Sequence, residues 1–284
     1  MHDRGRPVFS FEFFPPKTDK GADHLMLSAA ELKDMVAPDF ISVTYGAGGS
    51  TRERTLECVT RIQRDLGITA MAHLTCMAHT AEEIGVVVDT LVAEGIENVL
   101  ALRGDPPKGE EHFASPAGGF GHASELIEFL GAGYDVGIGG ACYPEVHPEA
   151  TSPADDLQWT RHKVACGADF LITQLFFDHR DYFAFVERAR SAGIDVPITP
   201  GVMPITNVKQ IRRFTQMCGV KIPQELMERL ERYADDPASV MATGIEHAIE
   251  QCRTLLEGGA PGIHFYTLNK SQATRSILAA IKRL

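Results

Sequence analysis

A strand pattern followed by a helix pattern recurs eight times along this chain, and no other feature narrows the fold so far. Short apolar runs stand at 8–13, 40–45, 69–74, 98–102, 135–142, 170–173, 196–201 and 262–266. Stretches with apolar residues at helical spacing follow them, at 21–35, 51–66, 80–94, 123–131, 154–166, 181–192, 207–217 and 270–284. Two further helical stretches, 224–233 and 238–256, precede the last strand. Within 21–35 the inner face is marked by Leu25, Leu32 and Met35, and Pro38 and Gly67 close the first two helices. Strands joined through helices run parallel, and eight such units is the number at which a parallel sheet closes on itself. The expected class is therefore α/β: a single (β/α)8 TIM barrel over residues 1–284, with an extra helical insertion before the last strand. A doubly wound open sheet would gather its ligand at one switch point. Here Glu12, Thr44, His73, Asp105, Tyr143, Gln174 and Tyr266 each stand at or just past the C-terminal end of a strand, and in a barrel those ends share one rim.

The first strand runs into Phe-Ser-Phe-Glu-Phe-Phe-Pro-Pro over 9–16. Val8, Phe9, Phe11 and Phe13 have the composition of a strand buried on both faces, and the paired prolines end it because neither can donate a ladder hydrogen bond. Glu12 stands in the middle. An ionised carboxylate buried without a partner costs several kcal/mol or more, so the position demands either a partner or a bound proton. A structural acid tied to a buried Lys or Arg answers the first demand. A general acid answers the second.

Forty-four per cent hydrophobic and 23% charged residues are the proportions of an ordinary globular protein. No apolar run approaches the ~20 residues that span a bilayer, and the first residues lack the apolar core of a signal peptide. Together these give an expected cytoplasmic location. A formal net charge of −11 argues against non-specific nucleic-acid or anionic-membrane partners, which rely on basic surfaces. Cys58, Cys76, Cys142, Cys166, Cys218 and Cys252 are scattered without a C-x-x-C pair, as expected of reduced thiols mostly in the core.

Gly46-Ala-Gly-Gly is not a dinucleotide fingerprint, and by itself it reads as a strand-to-helix turn in which Ser50 and Thr51 cap the following helix. Arg103-Gly104-Asp105 tops the fourth strand, either as an Arg–Asp pair holding the loop or as a carboxylate on the same rim as Glu12. His73, His79, Glu145, His147 and Glu149 are potential metal ligands, but no H-x-H ends the first strand, so no metal is expected. Gln174 precedes Phe176 and Phe177, and Gln210 and Phe214 lie a turn apart on a helix. Each aromatic is ordinarily core; beside an amide it also suits a flat heterocycle.

Taken together, Phe-Glu-Phe-Phe-Pro-Pro-Lys, Ser-Val-Thr-Tyr-Gly-Ala-Gly-Gly, Ala-Leu-Arg-Gly-Asp-Pro-Pro, Tyr-Pro-Glu-Val-His-Pro-Glu, Thr-Gln-Leu-Phe-Phe-Asp and His-Phe-Tyr-Thr-Leu-Asn resemble the methylenetetrahydrofolate reductase family, in the right order from Val8 to the closing helix. The resemblance implies a flavoprotein on an eight-stranded α/β barrel, binding FAD non-covalently. NADH or NADPH reduces the flavin and leaves; 5,10-methylenetetrahydrofolate then takes the hydride to become 5-methyltetrahydrofolate, a methyl source for methionine synthesis. Eukaryotic members carry a further C-terminal domain that senses S-adenosylmethionine. A bacterial-type catalytic chain without it is expected here, so S-adenosylmethionine should leave the rate unchanged. Relatives form dimers or tetramers, so a homo-oligomer is expected.

By the same resemblance, Glu12 matches the general acid that helps open the folate's five-membered ring, and Asp105 matches the carboxylate beside flavin and pterin. Thr44, Gln174, Gln210 and Phe214 match contacts to the alternating substrates. Lys270 stands beside the folate tail where Arg is common, keeping the charge without the bidentate fork. Tyr45, Ala47, His73, Arg103, Gly104, Asp105 and Ala123 fall on FAD-binding positions. So do Tyr143, His147, Ala150, Asp156, His162 and Lys163, while Trp159 departs from the family pattern. Two readings compete: a metal-dependent barrel hydrolase or lyase using Glu12, His73, Asp105 and His147, and a non-catalytic folate- or flavin-binding protein.

Overall fold

The computed structural model describes residues 5–46, 51–105 and 115–282. Its elements alternate: β1 (Val8–Phe13), α1 (Asp19–Val36), β2 (Phe40–Val43), α2 (Arg52–Leu66), β3 (Ala70–Thr75), α3 (Ala81–Ala93), β4 (Asn98–Leu102), α4 (Ala123–Gly133), β5 (Gly137–Cys142), α5 (Pro153–Ala165), β6 (Phe170–Thr173) and α6 (His179–Ser191). There follow β7 (Ile198–Thr199), β8 (Gly201–Val202), α7 (Val208–Cys218), α8 (Gln224–Arg232), α9 (Pro237–Glu257), β9 (Gly262–Tyr266) and α10 (Ser271–Ile281).

The strands form one sheet in the order β7-β6-β5-β4-β3-β2-β1-β9-β8. Its two ends, β7 and β8, are halves of one strand position separated only by Pro200, so the order is that of a closed ring of eight strand positions. The sequence pattern gives an unbroken seventh strand over 196–201; the break arises because proline has no N–H to place in the ladder. Pro200 still accepts: its carbonyl takes the His264 N–H at 2.9 Å. The fold is α/β with the strand order of a TIM barrel, and α7, α8 and α9 stand between β8 and β9.

By internal packing the chain divides into two compact units. The first comprises Ser10–Ala141 and His162–Leu171. Here β1 to β5 pair in parallel, with Glu12 opposite Ser42, Ser42 opposite Met71, and His73 opposite Leu100. The run of glycines in β5 makes room inside: a Cβ at Gly139 would lie 2.7 Å from the Phe170 ring, which in turn sits 6.5 Å from the Phe40 ring. In α1 the buried residues are Ala22, Leu25, Ala29, Leu32 and Val36. Met35, expected on that face, is 53% exposed, because the 3.6-residue period carries the inner stripe from Leu32 to Val36.

The second unit comprises Met1–Phe9, Cys142–Arg161 and Ile172–Leu284. Its core includes Leu175, Phe177, Met203, Ile205, Ile211, Leu226, Leu230 and Val240, with Phe214 packed half-buried against them. The Tyr266 hydroxyl donates to the Thr173 carbonyl at 2.6 Å, and only a residue without a side chain fits at Gly201, where a Cβ would lie 2.6 Å from the Tyr266 ring.

Candidate active site

Glu12 lies near the C-terminal end of β1 and is 8% exposed. The run Phe-Glu-Phe puts Phe11 and Phe13 on one face and Glu12 on the other, since side chains alternate along a strand. His73, on β3, is also buried, and its Nε2 stands 3.4 Å from Glu12 Oε2. The neighbour of the buried acid is thus an imidazole and not the Lys or Arg expected of a structural acid, and an imidazole is itself a proton-carrying group. At the end of β2, the Thr44 N–H donates to the Phe13 carbonyl at 2.9 Å, and the Thr44 carbonyl accepts from Thr55 Oγ1 at 2.8 Å. This closes the β1–β2 ladder and ties it to α2.

Tyr45 follows. Its hydroxyl is enclosed, has no hydrogen-bond partner among the described residues, and is pushed up to about 12 by burial, with Arg52 acting in the opposite sense. The ring meets His79 edge-on at 6.2 Å, and burial holds His79 below the usual imidazole range. Thr51, expected to cap α2, stands at its N-cap position without a side-chain cap bond. Its Oγ1 instead accepts the Gly46 N–H at 2.7 Å, so the oxygen is engaged away from the first N–H groups of the helix. Ala47 and Ser50 lie outside the described residues.

Just past β4, Arg103 and Gly104 are half-buried and Asp105 is exposed. Gly104 has φ +92°, in the region that favours glycine, and a Cβ there would lie 2.9 Å from Thr75 Cβ. The turn thus lies flat on the end of β3, and the Met77 N–H donates to the Arg103 carbonyl at 2.9 Å. Pro106 and Pro107 lie outside the described residues. Ala123 opens α4. On α5, Lys163 Nζ donates to the Ala141 carbonyl at the end of β5, and the exposed His162 lies within 3.8 Å of the Cys166 thiol. The first unit thus holds Glu12, Thr44, Tyr45, His73, Arg103, Gly104, Asp105, Ala123, His162 and Lys163, and brings Glu12 and His73 into contact.

In the second unit Tyr143 and His147 meet edge-on at 4.6 Å. Asp156, 7% exposed in the first turn of α5, accepts the His147 N–H at 3.1 Å, and Ala150 donates its N–H to the His147 carbonyl. His147 Nδ1 accepts the Glu149 N–H at 3.1 Å, so the neutral ring carries its proton on Nε2. Gln174 follows β6, with its side-chain carbonyl accepting the Leu175 N–H at 2.8 Å. Phe176 and Phe177 are 0% and 2% exposed and belong to the core, the ordinary fate of such a pair. On α7, Gln210 is exposed, one turn from Phe214. Lys270, exposed, occupies the N-cap position of α10. Among the described residues no three His, Cys, Asp or Glu side chains are grouped as metal ligands, and no helix is long and apolar enough to cross a membrane.

A family model described as methylenetetrahydrofolate reductase matches residues 1–282. The chain belongs to the methylenetetrahydrofolate reductase family. The 5,10-methylenetetrahydrofolate reductase of Escherichia coli strain K12 is 38% identical over 274 residues, covering 96% of this chain and 90% of the relative. A protein of Oryza sativa subsp. japonica named probable methylenetetrahydrofolate reductase (NADH) is 43% identical over 287 residues, 96% of this chain and 48% of its own length. The chain spans about half the length of the plant and yeast relatives it matches. Among solved structures, a Clostridium thermocellum protein described as binding two copies of 5-methyl-5,6,7,8-tetrahydrofolic acid superposes with TM-score 0.61 at 16% identity, over 98% of this chain and 95% of that one. At that identity the likeness speaks for the fold alone.

For a methylenetetrahydrofolate reductase family chain, sequence patterns located the strand ends but not which side chains meet. The Glu12–His73 contact reaches across β2, and Ser42, the residue between them, is inconspicuous in the sequence because a serine within Phe-Ile-Ser-Val looks like a minor break in a buried strand. Its only sequence signal is a hydroxyl at a strand position on the same face as Glu12.

Proposed function

We propose that this chain reduces 5,10-methylenetetrahydrofolate to 5-methyltetrahydrofolate in two half-reactions, with FAD as the bound carrier and NADH or NADPH as the reductant, acting in the cytoplasm as a single catalytic domain and a homo-oligomer. The reading rests above all on Glu12, a buried carboxylate at the end of a barrel strand held 3.4 Å from an imidazole, in a chain of this family. The name of the rice relative specifies NADH, which makes NADH the reductant to test first.

The side chains suit a flavin nucleotide. The Tyr45 hydroxyl is enclosed and lacks a partner among the described residues, the flat turn at Gly104 leaves backbone in place of a side chain, and Arg103 and Lys163 bring positive charge to a chain of net charge −11. Tyr143, His147, Ala150, Asp156 and His162 complete the proposed FAD contacts. Bound FAD would accept hydride from the nicotinamide and pass it to the folate. Thr44, Gln174, Gln210 and Phe214 would receive nicotinamide and folate in turn. Lys270 would meet the carboxylate tail of the folate as a point charge.

Glu12 is the proposed general acid. Its proton passes to the departing ring nitrogen as the five-membered ring opens to an iminium cation. Burial keeps bulk water from competing for that proton, and His73 stands beside the carboxyl. Asp105 supplies a negative charge that favours the iminium.

An anaerobic visible spectrum tests the proposal. Purified protein should show the two-banded absorption of oxidised flavin, lose it on addition of NADH, and regain it on addition of methylenetetrahydrofolate. Protein that stays colourless after incubation with FAD would sink the reading at its cofactor. Glu12→Gln should leave bleaching by NADH within about threefold of wild type while slowing reoxidation by folate by about a hundredfold or more. Collapse of both half-reactions would instead make Glu12 structural.

A further inference from the structure

Neighbouring strands of an eight-stranded barrel are staggered by about one residue, so inward side chains on alternate strands share a layer. The register of the first three strands carries this out. Glu12 pairs with Ser42 and Ser42 with Met71, so His73, two residues further along β3, comes level with Glu12. The two groups reach each other across β2, whose neighbours lie roughly 9–10 Å apart. Ser42 stands under that contact, because register partners in a parallel ladder present their side chains to the same face. A larger residue would fill the space that the carboxylate and the imidazole share.

The Ser42 hydroxyl adds a second fact. Ser42 is 0% exposed, and its Oγ has no hydrogen-bond partner among the described residues. Enclosing a hydroxyl in that way is unfavourable, whereas alanine would occupy nearly the same volume without the penalty. Folding alone therefore favours alanine at this position.

We propose that Ser42 is a positioning residue for Glu12. Its small side chain lets the carboxyl of β1 and the imidazole of β3 meet, and its hydroxyl donates a hydrogen bond to the Glu12 carboxylate that forms when the proton leaves. The inference rests on the proposed role of Glu12 as the general acid. In the step, a Glu12 O–H bond breaks, an N–H bond forms on the departing nitrogen of the folate, and the electron pair stays on the carboxylate oxygen; Ser42 keeps its own proton. A bond of this kind strengthens as charge develops on Glu12, so it favours the transition state over the ground state.

Three variants test this. Ser42→Ala removes the hydroxyl without adding volume, while Ser42→Val and Ser42→Thr share one shape and differ by the hydroxyl. The flavin-loaded proteins are followed through reduction by NADH and through reoxidation by methylenetetrahydrofolate, and thermal unfolding is measured separately without flavin. For Ser42→Ala we expect an unfolding midpoint at or above wild type, reduction within about twofold, and reoxidation at saturating folate slowed about ten- to a hundredfold. Ser42→Thr should reoxidise faster than Ser42→Val. Wild-type reoxidation in Ser42→Ala, or equal rates in the threonine and valine variants, overturns the hydroxyl's role. A lower midpoint with both half-reactions impaired in Ser42→Ala makes the residue structural and overturns the proposal as well. Failure of the wider reading would be visible in the wild-type protein itself, as a flavin that folate does not reoxidise, and it would take this proposal with it.

Discussion

Gly244 lies inside α9, where replacing glycine by alanine ordinarily stabilises a helix by about 1 kcal/mol. Here the opposite is expected. A Cβ at Gly244 would stand 1.9 Å from the Ile205 carbonyl oxygen, 2.7 Å from its carbonyl carbon and 2.9 Å from its Cβ. An ordinary C···O contact is about 3.3 Å or more, so helix and loop must separate by roughly 1.4 Å. The nearest obstacle is backbone and has no rotamer to escape into. Overpacking of this kind costs about 1–3 kcal/mol, and a backbone clash belongs at the upper end. Subtracting the helix gain leaves Gly244→Ala destabilised by roughly 2 kcal/mol. The thermal midpoint should then fall by about 3–4 °C. Ile205 shares a buried cluster with Ile211 of α7, against which Phe214 packs, so under the role proposed for Phe214 the displacement should raise KM more than it lowers kcat. Gly85→Ala, inside α3, is the control: its new Cβ would meet Tyr134 Oη at 3.4 Å and the Phe129 ring at 3.9 Å, ordinary contacts. It should gain about 0.5–1 kcal/mol. Differential scanning calorimetry of the two variants beside wild type decides the matter, and a Gly244→Ala protein that melts at or above wild type would refute the packing argument.

Tyr182→Phe should lower stability by about 1–2 kcal/mol in urea titration, because the buried hydroxyl donates to the Ile198 carbonyl at 2.8 Å and would leave that acceptor unmatched. Burial holds His247 below its ordinary 6.5, and its Nε2 lies 3.0 Å from the Phe177 carbonyl. Between the lowered folded value and 6.5 the unfolded chain binds more protons, so stability drops as pH falls below that value, and His247→Gln should flatten this slope in denaturant melts. Glu145 behaves oppositely: burial raises it above 4.5 despite the Lys221 N–H, with Asp181 adding to the rise. The folded state then holds its proton more tightly, so stability declines as pH rises from 4.5 through the raised value, and Glu145→Gln should remove that decline.

Much of the architecture was legible in the residue pattern because local signals agreed. Apolar runs of strand length alternated with helical periodicity, and Pro38 and Gly67 marked the ends of the first two helices. The candidate residues were legible for the same reason, since polar groups following apolar runs stand at strand ends whatever the rest of the chain does. Pairings between distant segments were not. Met35 and Val36 compete for the inner face of one helix, and only packing against its neighbours decides between them. Thr51 has the sequence of a cap, yet its oxygen accepts the Gly46 N–H, a partner outside the helix it precedes. What the sequence by itself determined was therefore the order and kind of the elements and the chemistry placed at their ends. The tertiary structure alone decided that Glu12 meets His73 over Ser42. That meeting depends on the stagger between three strands, a relation among segments some thirty residues apart that no local pattern encodes.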